Sequence, residues 1–240
     1  MHGTTISLVL AESALEVVPA SITRHPSVRS HAERLGVRPA ETLLDRSYHH
    51  AAMKGLEGAE KRGRPDIVHF ALMEALSTPL YLSGMLNVYV HTATDKVVSI
   101  GPDLRLPKSY FRFEGLMMDL FRHKVVEADG NVLLKLHDMP LVSLINSIGA
   151  VQVLGLSTAG TRTTAEDVAG RLAAGEEEDS AGKSGCAVVV GGFPRGHFSE
   201  KTSSKFNFTF SISDYGLEAH VVIARVIYEC EKALEVDEAE

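Results

Sequence analysis

The stretch from residue 186 to residue 219 constrains the fold of this chain more than any other. It begins with a short apolar run rich in valine, residues 187–190, which stops at the pair Gly191-Gly192. A second apolar run, residues 206–211, ends at the turn formed by residues 213–216. Such runs are typical of buried strands in an α/β sheet, whose carboxyl ends expose backbone N–H and C=O groups. These two strand ends predict either a small-molecule site built largely from main chain or merely two tight turns, and spacing alone leaves both open.

Strand-like and helical patterns alternate along the rest of the chain, which predicts an α/β protein with a mostly parallel sheet flanked by helices. Strands are predicted at residues 6–10, 86–91, 97–100, 124–127, 132–136, 151–156, 187–190 and 206–211. Helices are predicted at residues 26–35, from 65 and from 113 onward, at 164–172 and from 217 to about 236. We expect one domain spanning residues 1–240, in which residues 84–140 form an inserted or appended β-rich lobe.

The composition of the chain indicates its cellular location and argues against a metal site. No apolar run approaches the roughly 20 residues of a membrane helix, and the first residues lack the features of a signal peptide. Cys186 and Cys230 lie in apolar patterns, which suits buried thiols in a reducing compartment. The cytoplasm is therefore the expected location. The 11 histidines show no metal-ligand spacing, so no metal site is expected.

Charge is distributed unevenly along the chain. The formal net charge is −7, from 24 Lys and Arg against 31 Asp and Glu, which argues against nucleic-acid binding by the whole surface. Acidic residues concentrate at 176–179 and in the tail, at Asp237, Glu238 and Glu240. The middle of the chain is locally basic, which is compatible with an RNA partner. The basic residues there are Lys61, Arg62, Arg64, Arg105, Lys108, Arg112, Arg122, His123 and Lys124.

Residues 64–69 read Arg-Pro-Asp-Ile-Val-His and begin a helix. Proline and aspartate suit a first helical turn, and Arg64 and Asp66 could pair across it. The pattern predicts a core face that consists of Ile67, Phe70, Ala71, Met73 and Leu76.

A second basic motif lies at residues 105–112. Arg105, Lys108 and Arg112 are spaced three and four apart, so they can share one face and reach phosphates. The interleaved Tyr110 and Phe111 either stack on a base or pack inside the protein.

These motifs, in this order, resemble those of the ribosome-biogenesis methyltransferases that modify N1 of a pseudouridine in small-subunit ribosomal RNA. The resemblance is carried by RPDIVH, by RLPKSYFRFEGLM, and by VVVGGFPRG followed by SISDYGLEA. It extends from about residue 6 to residue 234. This family, named for essential roles in mitotic growth and in the nucleolus, belongs to the SPOUT class. The resemblance implies a knotted sheet, S-adenosylmethionine as cofactor, rRNA as substrate and a homodimer bridged by RNA. The apolar final helix is compatible with that interface, or with a central position in the fold.

The resemblance also implies roles for individual residues. Asp66 would orient Arg64 or accept a proton from the target, and these two would be the catalytic pair. RNA would be held by Arg64, Arg105, Lys108 and Arg112, with Lys108 standing where the family usually has arginine. The cofactor would be bound by Thr158, Gly191, Gly196, His197, Phe198, Ile212, Ser213, Asp214, Tyr215, Gly216 and Leu217.

Two departures bear on the cofactor loops. Gly216 stands where the family often has proline, and Asp214 where asparagine is common. Two other readings remain open: a non-catalytic rRNA-binding ribosome-assembly factor, and an unrelated nucleotide-binding α/β enzyme.

Overall fold

The structure is a computed structural model that describes residues 5–175 and 185–236. Most of the acidic segment expected as a loop between residues 174 and 185, and the acidic residues of the tail, lie outside the described residues.

A single eight-stranded sheet runs through the described part of the chain, with strand order β4-β5-β3-β2-β1-β7-β6-β8. Its strands are β1 (Ile6–Ser13), β2 (Leu86–Thr92), β3 (Lys96–Ile100), β4 (Val125–Ala128), β5 (Asn131–Asp138), β6 (Ala150–Arg162), β7 (Gly185–Gly191) and β8 (Phe208–Ser211). Strands β2, β1, β7, β6 and β8 are mutually parallel, whereas β3, β5 and β4 extend the sheet antiparallel. The predicted α/β class is therefore confirmed. The three antiparallel strands come from the segment expected as a lobe, and they continue the same sheet.

Helices cover both faces of this sheet. Within the described residues they are α1 (Pro26–Leu35), α2 (Arg46–His49), α3 (Pro65–Ala75), α4 (Pro79–Leu82), α5 (Tyr110–His123), α6 (Leu141–Ser147), α7 (Ala165–Ala174), α8 (Glu200–Ser203) and α9 (Ala219–Ala233), with 3-10 turns at Ala20–Ile22, Pro39–Glu41 and Ala59–Lys61. Alternate residues of β1 serve two cores, because Leu8 and Leu10 pack in the larger cluster and Val9 and Ala11 in a second one. A strand buried on both faces is what a central parallel strand requires.

Two helix ends are defined by local signals in the sequence. Thr164 caps α7, since its side chain accepts a hydrogen bond from the Asp167 amide and the Asp167 carboxylate accepts one from the Thr164 amide. Helix α1 ends at Gly36 in a left-handed conformation, φ 69°.

Several sequence-based boundaries and part of one helix face differ from expectation: α5 begins at Tyr110 rather than residue 113, and β8 at Phe208 rather than residue 206. The last helix begins at Ala219 rather than Leu217, and β6 continues to Arg162. Phe70 of α3 was expected in the core, but it is 56% exposed. Of the other residues expected in this face, Ile67, Ala71 and Leu76 are buried, and the buried residues of α3 also include Val68, Leu72 and Ala75.

Candidate active site

A cavity of about 300 Å³ opens at the carboxyl ends of β6, β7 and β8. Its walls are formed by Leu156 to Thr158 from β6, by the two loops that follow β7 and β8, and by the first turns of α9. Ile67 of α3 closes one side. Clefts at the carboxyl ends of parallel strands are where α/β sheets bind ligands, and the volume is at the lower end of the range for small-molecule sites.

Nearly all residues expected to bind the cofactor line this one cavity. Those that do are Thr158, Gly191, Gly196, His197, Phe198, Ile212, Ser213, Tyr215, Gly216 and Leu217. The exception is Asp214, whose carboxylate points away to pair with the Nε atom of Arg162 at 3.2 Å. The structure therefore brings together residues from three separate loops that the sequence could only associate by resemblance.

The loop after β7, residues 192–199, packs closely against the end of β1. A Cβ atom on Gly192 would lie 2.1 Å from the Ser13 hydroxyl, so a side chain there cannot be accommodated. Gly196 has φ +88°, a conformation that favours glycine. The glycines of this loop therefore permit a close approach and a turn, and in doing so they shape one wall of the cavity.

The loop after β8, residues 211–217, is fixed by its own side chains and by Arg162. The Ser211 hydroxyl donates to the Ser213 carbonyl at 2.8 Å, and the Tyr215 amide donates to the Ser213 hydroxyl at 3.1 Å. Arg162 donates from Nη1 to the Ser211 carbonyl at 3.1 Å while its Nε contacts Asp214. Asp214 therefore holds the loop from outside the cavity.

Arg64 and Asp66 form a bidentate ion pair at the start of α3. Arg64 Nε and Nη2 donate to the two Asp66 oxygens at 2.8 and 2.7 Å. The hydrogen bond to Asp66, more than the nearby charges of Asp66, Glu218 and Asp45, raises the pKa of Arg64. Because Glu218 and the next residue of α3, Ile67, both line the cavity, the pair lies beside it.

The basic motif at residues 105–112 contacts α3, the helix that begins with the Arg64–Asp66 pair. His69, the last residue of the RPDIVH motif, donates from Nε2 to the Pro107 carbonyl at 2.8 Å and stacks on Phe113 with ring centroids 4.5 Å apart. Arg105, Lys108 and Arg112 are exposed, and none of them forms an ion pair with another residue in the described part of the chain. These three cations therefore remain available to an anionic partner.

The two aromatic residues of this motif have different surroundings. Tyr110 packs inside: its hydroxyl donates to the Asp45 carboxylate at 2.5 Å, and burial, together with that hydrogen bond, raises its pKa. Phe111 is 69% exposed. Of the two, only Phe111 has a free ring face for stacking.

Most other residues of the expected basic face are neutralised within the chain. Lys61 pairs with Glu12 at 3.0 Å and Arg62 with Glu16 at 2.6 Å. Arg122 pairs with Glu41 at 3.1 Å, and Lys124 with Asp138 at 3.3 Å. Within the expected basic face, the unpaired positive charge is thus concentrated at residues 105–112.

Sequence reasoning missed about half of the cavity lining. The omitted residues are Ile67, Leu156, Ser157, Val190, Phe193, Pro194, Arg195, Phe210, Ser211, Glu218, Ala219 and Val222. Ser157 follows the predicted strand at residues 151–156 and Ser211 ends the one at 206–211, so both could have been proposed from that position. Val222 could not, because its helical pattern resembles that of any core residue.

Within the described residues, no group of three or more His, Cys, Asp or Glu side chains could hold a metal ion. In the same residues, no helix is long and apolar enough to cross a membrane.

Comparisons with known proteins identify the family of this chain. The family model described as EMG1/NEP1 methyltransferase matches residues 8–231. The chain is 38% identical over 227 residues to the ribosomal RNA small subunit methyltransferase Nep1 of Staphylothermus marinus, covering 94% of this chain and 95% of that one. It is 40% identical to the protein of the same name from Thermococcus kodakarensis, covering 95% and 99%. The crystal structure of Archaeoglobus fulgidus Nep1 bound to S-adenosylhomocysteine is similar with a TM-score of 0.80, 35% identity, and coverage of 96% and 98%. The chain therefore belongs to the EMG1/NEP1 methyltransferase family.

Proposed function

We propose that the protein transfers a methyl group from S-adenosylmethionine to N1 of a pseudouridine in small-subunit ribosomal RNA. The observation that carries the proposal is the cavity at the ends of β6, β7 and β8, beside the Arg64–Asp66 pair. Relatives named as small-subunit rRNA methyltransferases, and a related structure bound to S-adenosylhomocysteine, support it.

The chemistry of the lining fits this cofactor. Leu156, Ile212, Leu217 and Val222 provide apolar surface for an adenine ring. Backbone groups at Thr158, Gly191, Gly196 to Phe198 and Ile212 to Leu217 would make the polar contacts, and Glu218 is the one carboxylate among the described lining residues. When bound, S-adenosylmethionine supplies a methyl group on a positively charged sulfur, which needs no further activation.

The protein's remaining task is to align the target nitrogen and to accept its proton. Because the sugar of pseudouridine is attached through carbon, N1 carries a proton that must leave as the new N–CH₃ bond forms and the C–S bond breaks. We assign to Asp66 either the acceptance of that proton or the orientation of Arg64, which would hold the target. A stacked base cannot enter the cavity, so the nucleotide has to be presented from a loop or flipped out.

RNA binding is assigned to Arg64, Arg105, Lys108 and Arg112, in and beside the β-rich segment at residues 84–140. The last three are exposed and unpaired among the described residues, so each can approach a phosphate. Lys108 would bind as a point charge, because it lacks the bidentate fork of arginine. Phe111 is the ring available to stack on a base.

We also propose that the C-terminal segment is threaded as a trefoil knot. Phe210 of β8 pairs with both Leu156 and Thr161, so residues 157–160 form a bulge on β6 opposite Phe210. Gly160 lies so close that a Cβ atom on it would be 2.6 Å from the Phe210 backbone. This close packing of the bulge against the strand that leads into the C-terminal segment supports a threaded path.

A homodimer and a cytoplasmic location complete the proposal. Phe70 of α3 and Tyr228 of α9 are large apolar residues with more than half of their surface exposed, which supports an interface that covers them. Cys186 and Cys230 are both buried, as expected of thiols in a reducing compartment.

The test uses labelled S-adenosylmethionine and two RNA hairpins that are identical except for uridine or pseudouridine in the loop. We expect label on the pseudouridine hairpin alone. Label on both hairpins would contradict the assignment of N1. Binding of rRNA hairpins without label on any of a panel of small-subunit loops would instead favour the assembly-factor reading.

A cavity variant provides the control. Gly191→Leu would place a side chain where even a Cβ atom lies 2.8 Å from the Phe193 ring. It should abolish labelling and leave the affinity for the hairpin unchanged, because the basic motif is untouched.

A further inference from the structure

Lys61 reaches from the 3-10 turn Ala59–Lys61 to the loop at residues 192–199. Its ammonium group donates to the His197 carbonyl and to the Glu12 carboxylate, the latter at 3.0 Å. The same group lies 4.4 Å from the centre of the Phe193 ring. A lysine ammonium has three donors and interacts favourably with an aromatic face, so this one side chain holds two separate points of the loop.

Glu12 completes the attachment from the other side. Its second oxygen accepts hydrogen bonds from the Ser199 amide at 2.8 Å and the Ser199 hydroxyl at 2.6 Å. Burial acts to raise the pKa of Glu12, but the hydrogen bonds from Ser199 and Lys61 together outweigh it and lower the pKa. Glu12 adopts φ +50°, an uncommon conformation for a residue with a side chain, and its carboxylate thereby bridges Lys61 and the far end of the loop.

Side chains hold the middle of the loop: the Phe198 ring packs against the rings of Phe193 and Phe206, His197 Nδ1 lies 3.4 Å from the Ser157 hydroxyl, and Lys61 supplies the charged contacts. In the described part of the chain, no backbone–backbone hydrogen bond involves residues 193–198. The ends are fixed at Gly192, which bonds to Ala11 and Ala14, and at Ser199. Between them, all six residues line the cavity, including both that Lys61 contacts.

The surroundings of Lys61 argue against a role in RNA binding. Its side chain is only 26% exposed, and its charge is compensated by Glu12, whose side chain is 11% exposed. By contrast, Arg105, Lys108 and Arg112 are exposed and form no ion pair among the described residues.

We infer that Lys61, together with Glu12, is a positioning residue that holds the loop at residues 192–199 in the shape that binds S-adenosylmethionine. The inference rests on the proposed function, because that function supplies the cofactor. It assigns a task in methyl transfer to a residue whose charge would otherwise suggest contact with RNA.

The test is calorimetric titration of S-adenosylhomocysteine into the wild type, Lys61→Met and Lys61→Arg. Loss of a charged hydrogen bond to the loop should weaken binding about tenfold in Lys61→Met. Lys61→Arg should recover most of this loss, because it keeps a cation that can donate to both Glu12 and His197. In the labelling assay, Lys61→Met should raise the KM for S-adenosylmethionine by the same factor, while kcat at saturating cofactor stays within about twofold of the wild type.

Lys201→Met is the matched control. Lys201 lies on α8, just beyond the loop, and pairs with Asp95 at 2.6 Å in an exposed bridge. Its loss should change cofactor affinity by less than about twofold. The RNA affinity of Lys61→Met, and its dependence on salt, should equal those of the wild type.

The outcomes separate the two proposals. Wild-type affinity for S-adenosylhomocysteine in Lys61→Met would overturn the role of Lys61, as would a loss no greater than that of Lys201→Met. A reduced salt dependence of RNA binding in Lys61→Met would assign Lys61 to the RNA instead. A wild type that binds no S-adenosylhomocysteine would overturn the proposed function, and this inference with it.

Discussion

At the scale of single residues, the Arg64–Asp66 pair combines a fixed geometry with free bonding capacity. Only Nε and Nη2 of Arg64 donate to Asp66, so Nη1 has no partner in the described part of the chain. Each Asp66 oxygen accepts one hydrogen bond from Arg64 and retains a further lone pair. The pair can therefore contact a substrate without breaking, and each group keeps the other in place.

Replacement of Asp66 separates its two possible tasks. Asp66→Asn keeps an oxygen that accepts from Arg64 but cannot take up a proton near neutral pH. If Asp66 accepts the proton, kcat should fall about 100-fold while RNA affinity is retained. If it only orients Arg64, Asp66→Asn should stay active, and Asp66→Ala should weaken RNA binding. The measurements are single-turnover labelling and hairpin affinity. Full activity of Asp66→Ala with normal RNA affinity would contradict both roles.

At the scale of elements, the contact between β6 and β8 determines whether the cavity exists. Residues 157–160 form a bulge opposite Phe210, and both the part of β6 before them and the loop after β8 contribute lining residues. The approach depends on Gly160, where a Cβ atom would meet the backbone of Phe210 at 2.6 Å. Backbone atoms cannot move aside as a flexible side chain can.

Gly160→Val should therefore lower the free energy of unfolding by about 2–4 kcal/mol and abolish binding of S-adenosylhomocysteine. Gly170→Ala is the control: Gly170 lies within α7, and a Cβ atom there meets nothing within 4 Å. It should raise the free energy of unfolding by up to about 1 kcal/mol, since alanine favours the helix. Urea unfolding measures both. Equal stability of the two variants would show that β6 can move away from β8.

The sequence predicts an element well when the residues that determine it are close together in the chain, and poorly when they are far apart. The valine run of β7, the Thr164 cap and the glycine end of α1 are local, and all were predictable. The extension of β6 beyond Leu156 was not, because residues 157–162 are polar or small and are held by β8, about 50 positions away. The bond from Lys61 to His197 spans 136 positions and leaves no pattern in either neighbourhood. Resemblance identified the loops of the cavity but not the residues that fix them.

At the scale of the whole molecule, an acidic protein has to attract an anionic substrate. The net charge is −7, so the overall field opposes RNA at long range. Internal pairing removes most cations from the surface between residues 61 and 124, and it leaves Arg105, Lys108 and Arg112 free of ion pairs among the described residues. Binding should then depend on this small motif rather than on the field of the molecule.

Two arginines of α5 test this directly. Arg112 is unpaired in the described part of the chain, whereas Arg122, on the same helix, pairs with Glu41 at 3.1 Å. Each phosphate contact in a single-stranded loop contributes about 0.7 to the slope of log K against log salt concentration. Arg112→Ala should reduce the slope by about that amount and weaken hairpin binding at low salt, while Arg122→Ala, which removes the same charge, should leave the slope unchanged. Fluorescence anisotropy over a salt series gives both slopes. If the two variants lose the same amount, the net charge of the molecule governs RNA affinity, and the basic motif has no special role.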